Sequence, residues 1–236
     1  MKANFLTEHY RMSQTALNLV AIAIFTIVVS SLLGPLFDLS PTVPAIATFS
    51  LLGLATLDTL SWKGQGGTLL LGWLASFSPQ HRLRIVQHEA GHFLVASLLG
   101  VPVTGYALSA WEAFRQGQSA QGGVSFDDRE LAQLEQGILS SQLLERYCTI
   151  WMGGLAAETL VYGSAEGGAD DRQKLRTVLA PLGFSGSAQE QKERWAVLQA
   201  KTLLQTNWSV YEALVSAMQQ RACVAECYRV IGQHKN

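Results

Sequence analysis

Two long apolar stretches dominate the N-terminal part of the sequence. No charged residue lies between Arg11 and Asp38, and residues 39–57 are uncharged as well. Each stretch is long enough to form a helix that crosses a hydrocarbon core of about 30 Å. The pattern therefore predicts a transmembrane hairpin, with spans at about 15–37 and 42–60.

A cleaved signal peptide is the alternative interpretation of the first stretch. Its apolar run, Leu17–Leu33, exceeds the usual length of about 7–15 residues, and a second stretch follows, which favours the hairpin. Lys and Arg flank the pair on both outer sides and are missing from the turn around Asp38. Both ends are therefore expected on the cytoplasmic side of the membrane, or on its stromal or matrix equivalent.

Beyond a linker or interfacial segment at 61–77, the pattern changes to that of a folded domain. Ser78 suits a helix N-cap and Pro79 the first helical position, so a helix is predicted from there to near Gly100. Alternating residues then predict two paired strands, at 101–110 and 122–126, with a loop over 111–121 between them.

The remainder of the chain has helical periodicity. The predicted helices cover 128–137, 140–162 and a segment from Asp170, followed by a break at 181–187 and two or three further helices. The predicted fold class is mainly α with a small β element. The predicted organisation is a polar lead (1–14), the hairpin (15–60), the linker (61–77) and one domain (78–236).

Composition excludes several classes of function. The formal net charge is −1 and there is no cluster of Lys and Arg, so nucleic-acid binding is not expected. No G-x-x-x-x-G-K-[ST] sequence occurs, so no phosphate-binding loop for a nucleotide is expected. Disulfides are not expected among Cys148, Cys223 and Cys227, and the pair Cys223 and Cys227 is interpreted as small buried apolar residues rather than as metal ligands.

The predicted helix 79–100 contains the candidate chemistry, His88-Glu89-Ala90-Gly91-His92. On a helix His88 and His92 lie on one face, four positions apart, where their imidazoles can bind two corners of a tetrahedral zinc. Glu89 is placed beside them to accept a proton. The alternative is that the two histidines lie on one helix by chance. The chain has only five histidines, however, and two of them fall in this pattern.

A catalytic zinc needs a third protein ligand, and no other histidine is suitably placed. The candidates are carboxylates: Glu158, Glu166, Asp170 and Asp171. The two aspartates follow a Gly-rich turn at a predicted helix start, where they could also serve as simple helix caps. Glu158 could be a ligand or could orient a ligating histidine from behind. Spacing alone does not choose among them.

Several motifs occur in the order found in the protease domain of the FtsH family of membrane-bound zinc metalloproteases. They are HEAGH (88–92), GVSF (123–126), GGLAAETLVYG (153–163), GGADD (167–171) and the helical tail LLQTNWSVYEALVSAM (203–218). The chain therefore resembles that family over roughly residues 78–232. The resemblance implies a helical, zincin-like peptidase domain with zinc held by His88, His92 and Asp171, and Glu89 as general base.

The chain also departs from the family pattern. The family has an ATPase module between the spans and the protease domain, whereas only about twenty residues separate them here, and the Gly-rich turn is shorter. The resulting hypothesis is a membrane-anchored zinc endopeptidase that works without its own ATPase on unfolded or membrane-associated proteins. By resemblance it forms homo-oligomers, or hetero-oligomers with full-length FtsH-type proteases.

Two alternatives accompany this hypothesis. A non-catalytic scaffold or assembly partner in a membrane complex would explain the missing motor, but it has no chemical need for Glu89. A site-2-type intramembrane protease would explain the HEAGH motif, since HEAGHFLVASLLG resembles that family's first motif. That family's second motif, which ends in Leu-Asp-Gly, is absent from the sequence, and Arg82 and Arg84 precede the histidines.

Overall fold

The computed structural model describes residues 14–34, 40–61, 78–115, 123–127 and 140–234. Within these residues the chain is mainly helical with one small two-stranded sheet, which confirms the predicted secondary-structure class. The chain divides into two compact units, Met1–Phe77 and Ser78–Asn236. The predicted lead at 1–14, apart from Gln14, and most of the linker at 61–77 lie outside the described residues.

The first unit contains two helices, α1 (Gln14–Leu33) and α2 (Thr42–Ser61). Large apolar side chains on both are exposed, including Phe25 and Phe49. Over the stretches of the chain that the structure describes, no helix combines the length and apolarity needed to cross a membrane. Helix α1 ends at Leu33, and α2 carries Asp58 in its last turn. The described residues therefore lend no support to the predicted transmembrane hairpin.

The second unit begins with α3 (Pro79–Leu98), the predicted central helix. The Ser78 side chain accepts a hydrogen bond from the His81 N–H at 3.3 Å, and Pro79 occupies the first turn, as expected for a helix N-terminus. At the other end Gly100 adopts a left-handed φ of 74°, which stops the helix where the sequence predicted. Residues 90–96, in the C-terminal half of α3, are buried.

The small sheet consists of β1 (Val103–Ala107) and β2 (Gly123–Phe126), which pair as predicted and run antiparallel. The prediction of a loop immediately after β1 is wrong, because α4 (Ala110–Arg115) forms there. The Ser109 hydroxyl accepts a hydrogen bond from the Glu112 N–H, and the Glu112 carboxylate accepts one from the Leu108 N–H. This reciprocal pair satisfies the free N–H groups of a helix start and explains the short helix.

Six further helices complete the described part of the second unit: α5 (Ser141–Trp151), α6 (Gly153–Tyr162), α7 (Ala169–Leu179), α8 (Ser187–Thr206), α9 (Trp208–Gln219) and α10 (Val224–His234). The single helix predicted over 140–162 is interrupted at Met152, before two glycines that have low helix propensity. The predicted break at 181–187 is present, and three helices follow it. The helix predicted over 128–137 lies outside the described residues.

The core forms around α3, which packs closely against α6. A Cβ atom on Gly91 would lie 2.5 Å from the Gly153 carbonyl oxygen, so the two helices approach more closely than any larger residue there allows. Aromatic residues of the surrounding helices, such as Tyr147 and Tyr211, are fully buried on the other sides. Cys227 is buried as expected, but Cys223 is exposed, so the interpretation of that pair as buried residues is wrong for Cys223.

Candidate metal centre

Three potential ligand atoms converge between α3 and the start of α7. His88 Nε2 lies 3.0 Å from His92 Nε2 and 3.1 Å from Asp171 Oδ2, and His92 Nε2 lies 3.3 Å from the same oxygen. The helical spacing of four places the two histidines on one face of α3. Helix α7 brings Asp171 to them from 83 positions further along the chain.

The opposite nitrogen of each histidine has its own partner. His88 Nδ1 donates to Glu158 Oε1 at 2.7 Å, and His92 Nδ1 donates to the Ile150 carbonyl oxygen at 2.8 Å. These partners fix the tautomer in which Nε2 carries a lone pair. Two Nε2 lone pairs and a carboxylate oxygen then face one another, an arrangement of acceptors that requires a cation.

The donor set and its spacing fit zinc. Ligand atoms about 2.0–2.2 Å from a tetrahedral zinc are separated by roughly 3.3–3.6 Å, close to the three separations observed. Three protein ligands with a fourth position left for water are typical of catalytic rather than structural zinc sites. His88, His92 and Asp171 would hold the metal.

The structure distinguishes the four candidate carboxylates. Asp171 is 8% exposed and touches both histidines, whereas the neighbouring Asp170 is exposed. Glu166 is also exposed and forms an ion pair with Arg84. Glu158 is buried behind His88, on the side away from the converging atoms, so it is placed to orient that histidine and not to bind the metal itself.

The site has strong electrostatic coupling in the metal-free protein. Burial alone would lower the pKa of His88, but its hydrogen bonds to Asp171 and Glu158 outweigh burial and raise the pKa to about 10. Burial would raise the pKa of Asp171, yet the charge and hydrogen bonds of the two histidines hold it well below its usual range. These shifts favour a protonated His88 beside a charged Asp171 carboxylate in the metal-free protein.

Glu89 lies beside the metal ligands on α3. Its Oε2 atom is buried and has no hydrogen-bond partner among the described residues. Burial raises the pKa of its carboxyl group, an effect that the neighbouring charges of His88 and His92 oppose. A buried polar atom without a hydrogen-bond partner is rare and often marks a functional group. The position of Glu89 suits a general base that accepts a proton from a bound water.

The first residue of β2 borders this carboxylate. A Cβ atom on Gly123 would lie 3.8 Å from Glu89 Oε2, so the start of the strand reaches the candidate base. Within the described residues β2 pairs with β1 alone, which leaves its other edge for an additional strand. An extended peptide added at that edge would pass close to Glu89.

Sequence analysis missed two contributors to the site. The Ile150 carbonyl oxygen carries no side-chain signal and was not predictable from the sequence. Arg84, four positions before His88 and on the same face of α3, contacts Glu158 at 3.0 Å between Nε and Oε2. Its spacing was visible in the sequence, but Arg84 was interpreted as a charge that sets the orientation of the hairpin and argues against a site within the bilayer.

Comparison with known proteins supports a relationship to FtsH. The chain is 36% identical over 106 residues to the ATP-dependent zinc metalloprotease FtsH 1 of Methylacidiphilum infernorum (isolate V4). The matched part covers 44% of this chain but only 15% of the relative's length. No protein-family model matches the chain. The chain also brings together His88, His92 and Asp171, a group that could hold a metal ion.

Proposed function

We propose that residues 78–236 form a zinc metallopeptidase domain that hydrolyses peptide bonds of unfolded proteins. The observation that carries this proposal is the convergence of His88 Nε2, His92 Nε2 and Asp171 Oδ2 beside Glu89, whose buried Oε2 has no hydrogen-bond partner among the described residues. A bound zinc would supply a Lewis acid that acidifies water and polarises a peptide carbonyl.

The residues of the chain account for the other requirements of the reaction. Glu89 accepts the proton of the attacking water and returns it to the amine that leaves. Glu158 and the Ile150 carbonyl hold the two imidazoles in the ligating tautomer. The free edge of β2 aligns an extended substrate backbone, which favours loose tails and unfolded segments over folded domains.

Residues 1–236 are also proposed to hydrolyse peptides without ATP, because they contain no phosphate-binding loop. They would then not unfold stable proteins unless a separate ATPase delivered them. Oligomers, either of this chain or with full-length FtsH-type proteases, are also part of the proposal. Light scattering of the purified protein, alone and mixed with such a protease, tests both assemblies.

Association of the first unit with a membrane is proposed as well, with the peptidase domain on the cytoplasmic, stromal or matrix side. The support is the absence of charge between Arg11 and Asp38 and the exposure of large apolar side chains on α1 and α2. Flotation of the full chain with phospholipid vesicles, compared with residues 78–236, tests it. Equal recovery of both in the soluble fraction contradicts membrane association.

The central experiment is zinc analysis combined with cleavage of unfolded casein, for the wild type and Glu89→Gln. We expect about one zinc per chain in both proteins and cleavage by the wild type only, since the substitution removes the base and retains the ligands. Cleavage by both variants contradicts the role of Glu89. Zinc in both with cleavage by neither favours a non-catalytic scaffold or a requirement for a partner ATPase.

A further inference from the structure

Arg84 makes an unusually complete set of contacts one turn before the first metal ligand. Its Nε lies 3.0 Å from Glu158 Oε2, one Nη forms an ion pair with Glu166, and the other donates to the Ser164 carbonyl oxygen at 3.3 Å. The guanidinium also lies 4.3 Å from the centroid of the Tyr162 ring. The contact of Nε with Glu158 is an ion pair by distance and lacks hydrogen-bond geometry. All of these partners belong to residues 158–166.

The contact with Glu158 is buried and not a surface ion pair. The Arg84 side chain is 18% exposed and that of Glu158 is 2% exposed. A buried carboxylate that loses its cationic partner is strongly destabilised, unlike one on the surface. Arg84 therefore supplies a cationic neighbour to the buried Glu158 carboxylate.

Glu158, the partner of Arg84, also forms hydrogen bonds on both sides of the metal site. Its Oε1 accepts the hydrogen bond from His88 Nδ1 at 2.7 Å. The backbone N–H groups of Glu166 and Gly167 donate to the same carboxylate, at 2.9 and 3.2 Å. These residues belong to the turn that leads into α7 and hence to Asp171. One carboxylate thus connects the orientation of His88 with the position of the third ligand.

We propose that Arg84 is a positioning residue for the metal centre, which acts through Glu158 to fix His88 and the turn before Asp171. The inference rests on the zinc site of the proposed function. It assigns Arg84 no contact with the metal or with substrate. A lysine could not replace it fully, because an ammonium group lacks the planar fork that reaches three acceptors at once.

The test compares zinc dissociation constants, measured by competition with a chelator, for variants of the full chain. Arg84→Gln is expected to bind zinc about 10–100-fold more weakly than the wild type, the usual effect of removing a partner behind a ligand. Arg84→Lys should fall between the two. Arg82→Gln is the matched control: it removes the same charge from the exposed face of the same helix and should leave the constant unchanged.

A double variant distinguishes positioning from general stabilisation. If Arg84 acts through Glu158, then Arg84→Gln combined with Glu158→Gln binds zinc no more weakly than Glu158→Gln alone. Additive losses, or an Arg84→Gln protein that binds zinc within twofold of the wild type, overturn the inference. Should the glutamine variant not fold, as judged by urea denaturation of the metal-free proteins, Arg84→Lys supplies the same comparison.

The outcomes also separate this inference from the proposed function. If the wild type binds zinc but cleaves no casein, the proposed peptidase activity is contradicted. The effect of Arg84 on zinc affinity can still be measured in that case. A wild type that binds no zinc overturns both. A cleaving wild type whose zinc affinity is insensitive to Arg84 overturns the inference alone.

Discussion

Asp170 and Asp171 are adjacent carboxylates with opposite surroundings. Asp171 is buried against His88 and His92, whereas Asp170 is exposed on the outer side of the first turn of α7. Neither the composition nor the spacing of the sequence distinguishes them, because both suit a helix start. The orientation of α7 against α3 determines which of the two carboxylates reaches the histidines.

Replacing each aspartate by asparagine tests this difference. Asp171→Asn is expected to weaken zinc binding by about 100-fold or more, because it removes an anionic ligand and not merely a partner behind one. Asp170→Asn should leave zinc binding unchanged. Equilibrium dialysis against a zinc buffer measures both, and equal losses from the two variants contradict the assignment of Asp171.

The raised pKa of His88 predicts a pH dependence of zinc binding. Zinc requires a neutral imidazole, and in the metal-free protein His88 keeps its proton up to a pKa of about 10. Below that pH the metal must displace the proton, so zinc affinity should rise with pH, by up to about tenfold per unit between roughly pH 7 and 9.

Calorimetry in buffers of different ionisation enthalpy measures this release directly. We expect at least about one proton per zinc bound at neutral pH. The same titration of His81→Ala, which alters an exposed histidine at the start of α3, serves as the control and should show the same release. A zinc affinity that does not change with pH would contradict the coupling of His88 to Asp171 and Glu158.

At the scale of the elements, the crossing of α3 and α6 sets the geometry of the site. Gly91 and Gly153 allow the two helices to touch, and Gly154 leaves room for the His88 ring, since a Cβ there would lie 2.3 Å from Nε2. The tight crossing places Glu158, on α6, behind His88. The position of the supporting carboxylate therefore depends on residues that have no side chain.

Gly91→Ala is expected to destabilise the domain by about 1–3 kcal/mol, the usual cost of an inserted methyl group in a packed core. Its Cβ would meet the Gly153 carbonyl oxygen at 2.5 Å and Ala157 Cβ at 2.7 Å. Gly232→Ala is the control, because nothing lies within 4 Å of a Cβ there and α10 should gain about 0.5–1 kcal/mol. Urea denaturation measures both, and equal effects contradict the close crossing.

The elements that the sequence predicted well are those with local signals. The start of α3 follows from Ser78 and Pro79, and the convergence of His88 with His92 follows from their spacing on a helix. The break at Met152 and the short helix α4 depend on competing local preferences that periodicity does not resolve. The sequence pattern does not indicate that the Ile150 carbonyl oxygen accepts a hydrogen bond from His92, because this contact depends on tertiary packing.

On the scale of the whole molecule, the boundary between the two units lies at residues 77 and 78. His88, His92 and Asp171 all belong to the second unit, as do the partners that orient them. We therefore expect residues 78–236 to fold alone and to bind zinc as tightly as the full chain. A truncated protein that is unfolded by circular dichroism, or that binds zinc more than about tenfold more weakly, contradicts this expectation.

The separation of the ligands along the chain has a further consequence for the second unit. His88 and Asp171 are 83 positions apart, so an ion bound by both closes a long loop of the unfolded chain. A bound zinc would therefore restrict the unfolded chain as a reversible crosslink does, in a chain whose cysteines are all free. The metal that serves the chemistry would then also determine how long the domain survives proteolysis, and a change in zinc supply would alter the abundance of the protein as well as its activity.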